Sequence, residues 1–245
     1  MSDLVLALDT SSDAAVALCR VGPDQDAGAP VQVLARARSG DGRRHAETLA
    51  PLIERVIRTG GAQPDAVDAV VVGTGPAPFT GLRVGLITAR AYARARGIAV
   101  HGVGGLEALA LAATDGEQHL GDEVLVASDA KRREVYYARY RRTGPDVVAI
   151  AEPQVGPPAE VAEQHADLVR AGAVHGPALL LYPDLLAPGT PVEELASAGR
   201  AEPVDPVQLV RIAAHRRVHG GDLSLAPRYL RRPDVHVAPG RKRAT

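Results

Sequence analysis

Residues Ala69 to Gly97, AVVVGTGPAPFTGLRVGLITARAYARARG, leave this chain few folds to choose from. The run Val70, Val71, Val72 is β-branched and too short for a helix, so it reads as a buried strand. Gly73, Gly75, Pro76 and Pro78 then break regular structure. Thr80 is the predicted N-cap of a helix that Gly97 stops. A strand feeding directly into a helix is the unit of a sheet with crossover connections. Inside the helix the small residues Gly81, Gly85, Ala89 and Ala93 recur every four positions and share one face. A glycine within a helix costs about 0.5–1 kcal/mol relative to alanine. That cost is offset where another backbone comes close. The spacing alone allows two uses, close packing on the chain's own sheet or a helix contact with a partner chain.

The flanking sequence extends the pattern. Leu4 to Leu18 alternates as a strand, turns at Asp9 to Asp13 and resumes as a strand. Val124 to Tyr137 repeats this around Asp129. After the first hairpin come a strand (Val31–Arg38), a helix (Arg44–Arg58), a strand (Val67–Gly73) and a helix (Thr80–Arg96). A strand at Ile98–Val103 and a helix at Leu106–Ala113 complete the unit. After the second hairpin the signals thin out. They predict strands at Val147–Ala151 and Ala178–Tyr182, and helices at Pro158–Glu163 and Pro206–His219. Glu152–Pro158 and Pro183–Pro203 read as irregular connections. The polar stretch Thr114–Asp122 separates a first lobe (1–115) from a smaller second lobe (116–230), with a basic tail at 231–245. A β-β-β-α-β-α-β-α order, repeated with the second copy reduced, resembles the two-lobe α/β plan of actin, hexokinase and Hsp70, the ASKHA fold.

Composition bounds the function. The formal net charge of −1 gives no global basic field, so any RNA contact has to be local. Cys19 is the single cysteine, which excludes an intrachain disulfide and fits a reducing compartment. The N-terminal MSDLVLALDTSS lacks the basic and apolar regions of a secretion signal, and no apolar run is long enough for a bilayer. The expectation is a cytoplasmic protein with no membrane partner. The tail, PRYLRRPDVHVAPGRKRAT, has many basic residues but only Tyr229 for base stacking, and it reads as a solvated segment.

The chemistry-bearing candidates are few. In the ASKHA plan the first hairpin turn approaches a nucleotide phosphate. Asp9, Thr10 and Ser11 suit that place, with a carboxylate for a hydrated metal and hydroxyls and amides for phosphate oxygens. At the second turn Asp129 is followed by Ala130, Lys131, Arg132 and Arg133, where glycines would favour close backbone approach. No Gly-Gly-Ala-type turn offers an adenosine seat. Gly73–Gly81 is neither a Walker loop nor a Gly-x-Gly-x-x-Gly loop. Ser11, Ser12 and Cys19 lack a nucleophile motif. His215 and His219 are spaced as metal ligands, but Arg211, Arg216 and Arg217 surround them, so they read as a helix end. His45 opens a helix and reads as a helix-end or interface residue.

The stretches LALDTSS (6–12), HAETLAPLI (45–53), GTGPAPFTGLRVGLITARAYA (73–93), GVGGLEALA (102–110), DAKRREVY (129–136) and PRYLRRPDV (227–235) together resemble the TsaB (YeaZ) family. Departures are Ala77 and the more basic Lys131–Arg133 turn. The resemblance implies an ASKHA fold and a role in threonylcarbamoyladenosine modification of the tRNA adenosine beside the anticodon. It implies a non-catalytic partner of a TsaD-like threonylcarbamoyl transferase, working with a TsaE-like ATPase and pairing with itself. Contact with tRNA is expected only through the complex. In TsaD-like chains the segment matching Gly102–Leu109 carries a metal-binding His-x-x-x-His pair. Here those places are Gly105 and Leu109, so no metal site, catalytic residue or bound cofactor is expected. The resemblance also turns the small-residue stripe into an expected interface, comprising Gly81, Gly85, Ala89, Ala93, His45 and Leu49. Asp9, Thr10 and Ser11 become a vestigial nucleotide turn. The rival expectation is an enzyme with its own nucleotide-dependent phosphate or carbamoyl chemistry at Asp9–Ser11.

Overall fold

The fold is described from a computed structural model covering residues 3–22, 31–40, 42, 44–115 and 120–231. Strands β1 (Asp3–Asp9) and β2 (Ala15–Val21) form the first hairpin, and β3 (Gln32–Arg38) adds antiparallel to β2. Helix α1 (His45–Thr59) leads to β4 (Ala69–Gly73), α2 (Phe79–Arg96), β5 (Ala99–Val103) and α3 (Gly105–Ala113). The first sheet has the order β3-β2-β1-β4-β5, with β4 parallel to β1 and β5 parallel to β4.

The second hairpin is β6 (Glu123–Asp129) and β7 (Val135–Thr143), edged by β8 (Asp146–Ala149) and β9 (Gln154–Gly156). Helices α4 (Pro158–Gln164) and α5 (Ala166–Arg170) precede β10 (Val174–His175), which lies parallel to β6. Short helices α6 (Pro183–Leu186) and α7 (Val192–Ser197) lead to α8 (Pro206–His219). The run β8-β7-β6-β10 repeats β3-β2-β1-β4 without a fifth strand. This is a mixed α/β fold with two sheets, the second reduced.

Covered faces explain the strand sequences. In β1 the residues Leu4, Leu6 and Leu8 pack with Leu49, Ile53, Leu82 and Leu86 of α1 and α2. The alternate residues Val5 and Ala7 pack on the other face with Leu109, Val210 and Ile212 of α3 and α8. Both faces are buried, so the strand is apolar throughout. The layer of α3 and α8 is shared, because Val124, Val126 and Tyr140 of the second sheet belong to the same cluster. On the outer face of the second sheet, Leu125, Val135 and Tyr137 pack with Val161, Leu168 and Leu179. Helix α8 follows the second sheet in sequence, yet it packs on β1, β2, β4 and β5 as well as on α3. The chain beyond it runs back along the first lobe, where the Gly102 N–H donates to the Leu223 carbonyl and the Arg228 N–H to the Thr74 carbonyl.

Several sequence expectations need correction. Thr80 is not the N-cap. Helix α2 starts at Phe79 with Pro78 in the capping place, where its fixed φ of −56° suits entry and its carbonyl accepts from the Leu82 N–H. The expected strand at Ala178–Tyr182 is a 3₁₀ turn, Pro177–Leu180, because Pro177 and the left-handed Gly176 (φ 118°) end pairing after β10. Segments expected to be irregular contain β9, α6 and α7. Gly97 does stop α2 in the left-handed region, at φ 66°. No helix among the described residues is long and apolar enough to cross a membrane. The basic tail at 232–245 lies outside the described residues.

Candidate functional site

The two hairpin turns face one cleft of about 750 Å³. Thr10, Ser11 and Ser12 line it from the first lobe, and Ser128, Asp129 and Lys131 from the second. Strand pairing places both aspartates at the same point. Asp9 opposes Ala15 at the end of its hairpin, and Asp129 opposes Val135 at the end of the other. Each carboxylate then closes its own turn: Asp9 Oδ1 accepts from the Ser11 N–H at 2.9 Å, and Asp129 Oδ1 from the Lys131 N–H at 2.7 Å.

The turns differ in environment. Asp9 is only 2% exposed, and Ser11 Oγ also donates to its Oδ1 at 2.5 Å. Burial pushes its carboxyl up to about 6, against the lowering effects of the Ser11 hydrogen bonds and the Arg38 charge. Its other oxygen lies where a side chain on Gly73 would collide with it. Asp129 instead holds Lys131 Nζ at 2.6 Å. Lys131, Arg132 and Arg133 adopt φ of 63°, 54° and 62°. The turn thus has the left-handed backbone that glycines favour while carrying three long cations.

Both carboxylates are therefore committed: Asp9 to Ser11, Asp129 to Lys131. Gly105 and Leu109 of α3 stand in the cleft wall, and neither can ligate a metal.

Comparison with known proteins agrees with this geometry. Residues 39–204 match the family described as TsaD: tRNA N6-adenosine threonylcarbamoyltransferase. The chain belongs to the TsaD family, in its TsaB-like branch. It is similar to the tRNA threonylcarbamoyladenosine biosynthesis protein TsaB of Haemophilus influenzae, 34% identical over 56% of this chain and 54% of that one. Uncharacterized proteins from Mycobacterium leprae and Mycobacterium tuberculosis are 39% and 38% identical over 95% and 94% of this chain. The match spans 56% of the M. leprae protein's length and 93% of the M. tuberculosis protein's. The solved YeaZ of Pseudomonas aeruginosa superposes with a TM-score of 0.65 at 25% identity, covering 89% of this chain and 93% of that one.

Within this TsaB-like chain the expected interface residues divide. Gly81, Gly85, Ala89 and Ala93 are all buried within the chain itself. The reason is Thr10. Its Oγ1 donates to the Gly81 carbonyl at 2.9 Å. A Cβ on Gly81 would come 2.8 Å from the Thr10 carbonyl, and one on Gly85 would collide with Thr10 Oγ1. The stripe lets the first turn lie against α2. Leu49 is also core, on the buried face of α1. His45 is half-buried at the cleft edge, with Nε2 3.1 Å from the Ser12 carbonyl. His215 and His219 stack at 4.3 Å between ring centres, and among the described residues no group of three potential metal ligands converges.

Sequence reasoning missed the opposite side of α1 and α2. Ile57, Ile87, Ala91 and Tyr92 line an open groove of about 930 Å³ there. Ile87 is 65% exposed, a large apolar side chain facing outward from the middle of a helix. The GLITARAY register held that signal, since Ile87 falls off the Gly81–Ala93 face.

Proposed function

We propose that this chain is a non-catalytic subunit that supports a TsaD-like threonylcarbamoyl transferase in tRNA threonylcarbamoyladenosine formation. Its partners are the TsaD-like protein, a TsaE-like ATPase and a second copy of itself, and it meets tRNA only through the assembly. The observation that carries the reading is the cleft wall, where Gly105 and Leu109 offer no ligand chemistry and both turn carboxylates are occupied by their own turns. Such a cleft can keep the two-lobe shape of a transferase without its reaction. The name of the H. influenzae relative supports the pathway. The rival, nucleotide chemistry at Asp9–Ser11, requires Asp9 to face a metal, whereas it is buried against Ser11 and Gly73.

The α1–α2 groove is the surface we assign to the TsaD-like partner, with self-pairing through the same face. Exposed apolar area at Ile87, beside Ala91 and Tyr92 in the groove, suits a helix-on-helix contact. The test is mass in solution by size exclusion with light scattering, for the chain alone and mixed with its own organism's TsaD-like protein. A complex that Ile87→Arg abolishes while circular dichroism stays unchanged is the expected result. A chain that ignores the TsaD-like protein sinks the partner reading. Tight Mg-ATP binding by the isolated chain, lost in Asp9→Ala, would favour the enzyme.

A further inference from the structure

Behind the cleft lies a second cavity of about 640 Å³, enclosed by β3, α3, β10 and the connection from α7 to α8. Its volume is that of a small-molecule site. Alternation along β10 sends Val174 into the outer core and leaves His175 on the opposite face, lining the cavity. His175 is 6% exposed.

Arg200 lines the same cavity. Its Nη2 donates to the Gly172 carbonyl at 2.7 Å and the Val174 carbonyl at 3.2 Å. Its backbone carbonyl accepts from the Gly176 N–H at 2.8 Å, which ties the residue to the end of β10. Its Nε is buried without a partner, and among the described residues no carboxylate pairs with it. Burial accordingly disfavours its charge and holds its guanidinium below the usual arginine range. From β3, Arg36 and Arg38 reach the cavity two residues apart, on one face. Arg38 is committed to Asp13 at 2.6 Å and to the carbonyls of Pro203 and Val204. Arg36 meets Asp205 at 3.3 Å and is largely exposed.

Of the acids nearby, only the Glu194 charge favours the Arg200 cation, and less than burial opposes it. Asp205 caps α8 through the Val207 N–H and meets Arg36, while Glu202 is exposed on the lining. Burial and the Arg200 charge also lower the His175 imidazole to about 4, so its ring is neutral at pH 7. The cavity thus presents a guanidinium whose Nε has no partner and an imidazole that can donate one N–H. An anionic oxygen group satisfies both, with charge-assisted hydrogen bonds.

We propose that this cavity binds a compact oxyanion, the phosphate or carboxylate group of a small molecule, between Arg200, His175 and Arg36. The rest of the molecule lies on the apolar wall made by Ala112, Ala113 and Leu120. Pro203 lines this cavity and Val204 the cleft, so the Arg38 bonds to their carbonyls form the partition between the two.

The experiment uses the full chain at pH 7, with inorganic phosphate and succinate as separate probes. It follows the His175 ring resonances by NMR and the binding heat by calorimetry. The expected result is a saturable shift of the His175 ring, with binding weakened about tenfold by Arg200→Gln and less by Arg36→Ala. A response to phosphate alone assigns a phosphate-bearing ligand, a response to succinate alone assigns a carboxylate, and a response to both assigns the shared anion chemistry. His175 resonances that neither probe moves in the millimolar range overturn the proposal. So does binding that both substitutions leave unchanged. If Arg200→Gln does not fold, the unmodified chain and Arg36→Ala decide by the same criteria.

Discussion

Two buried titratable side chains set opposite pH dependences. Asp9 has its carboxyl raised from 3.8 to about 6 by burial, so the native state holds a proton there that the unfolded chain has released. Its contribution to stability is fully present below the unfolded value and is lost as pH rises through 6. Asp9→Asn keeps the Ser11 hydrogen bond and removes the buried charge. It is expected to be more stable than the parent at pH 8, by at most about 3 kcal/mol, with the gap closing towards pH 4. His175 is lowered from 6.5 to about 4, so the unfolded chain takes up a proton that the native state refuses. Its contribution is present above 6.5 and is lost as pH falls towards 4, and His175→Gln is expected to flatten that acid-side loss. Urea midpoints measured from pH 4 to 8 check both signs. The aspartate was legible as a site residue because it ends an apolar strand before a polar turn. Its protonation was not, since burial depends on Gly73 and on α2 packed above it.

At the scale of elements, the informative parts are a stripe, a turn and a strap. Gly85→Ala is expected to destabilise the first lobe by about 1–3 kcal/mol, because the new methyl displaces Thr10 and breaks its bond to the Gly81 carbonyl. Thermal melting and the Thr10 chemical shift check it, and an unperturbed Thr10 would contradict the packing role. The helical spacing of small residues was plain in the sequence. Which surface they faced was not, because a close-packed face looks the same whether the neighbour is an internal turn or another chain. In the Lys131–Arg133 turn, each left-handed residue costs about 1–2 kcal/mol. Arg133 is exposed, so Arg133→Gly is expected to raise stability by about 1 kcal/mol in chemical denaturation. The sequence there argues against a left-handed backbone, and pairing of β6 with β7 overrides it by holding the turn's ends in register. The strap after α8 leans on Gly102, where a Cβ would collide with the Ser224 carbonyl.

For the whole molecule, the layer of α3 and α8 is common to both sheets, so the lobes are expected to unfold in one transition. A charged network reinforces that layer. Arg216, with its side chain 10% exposed, meets Glu107 at 2.9 Å and Asp146 at 2.7 Å, joining α8 to α3 and β8. Arg216→Met is expected to cost about 3 kcal/mol, since it leaves Asp146 without its cation and Glu107 with Arg228 alone. Coincident loss of far-ultraviolet signal and of tyrosine fluorescence in urea would support one transition, and two separate midpoints would refute it. The sequence by itself determined the strands and helices of the first lobe, the duplicated hairpin and the family, because these rest on periodicity, turn residues and local motifs such as GPAPFTGLR. Tertiary structure alone decided the rest. It put α8 between the sheets, turned the small-residue stripe inward and left Ile87 outward. It also brought His175 and Arg200 to one cavity with Arg36. Each depends on which distant surfaces meet, and burial of a face is a property of the neighbour as much as of the residues that form it.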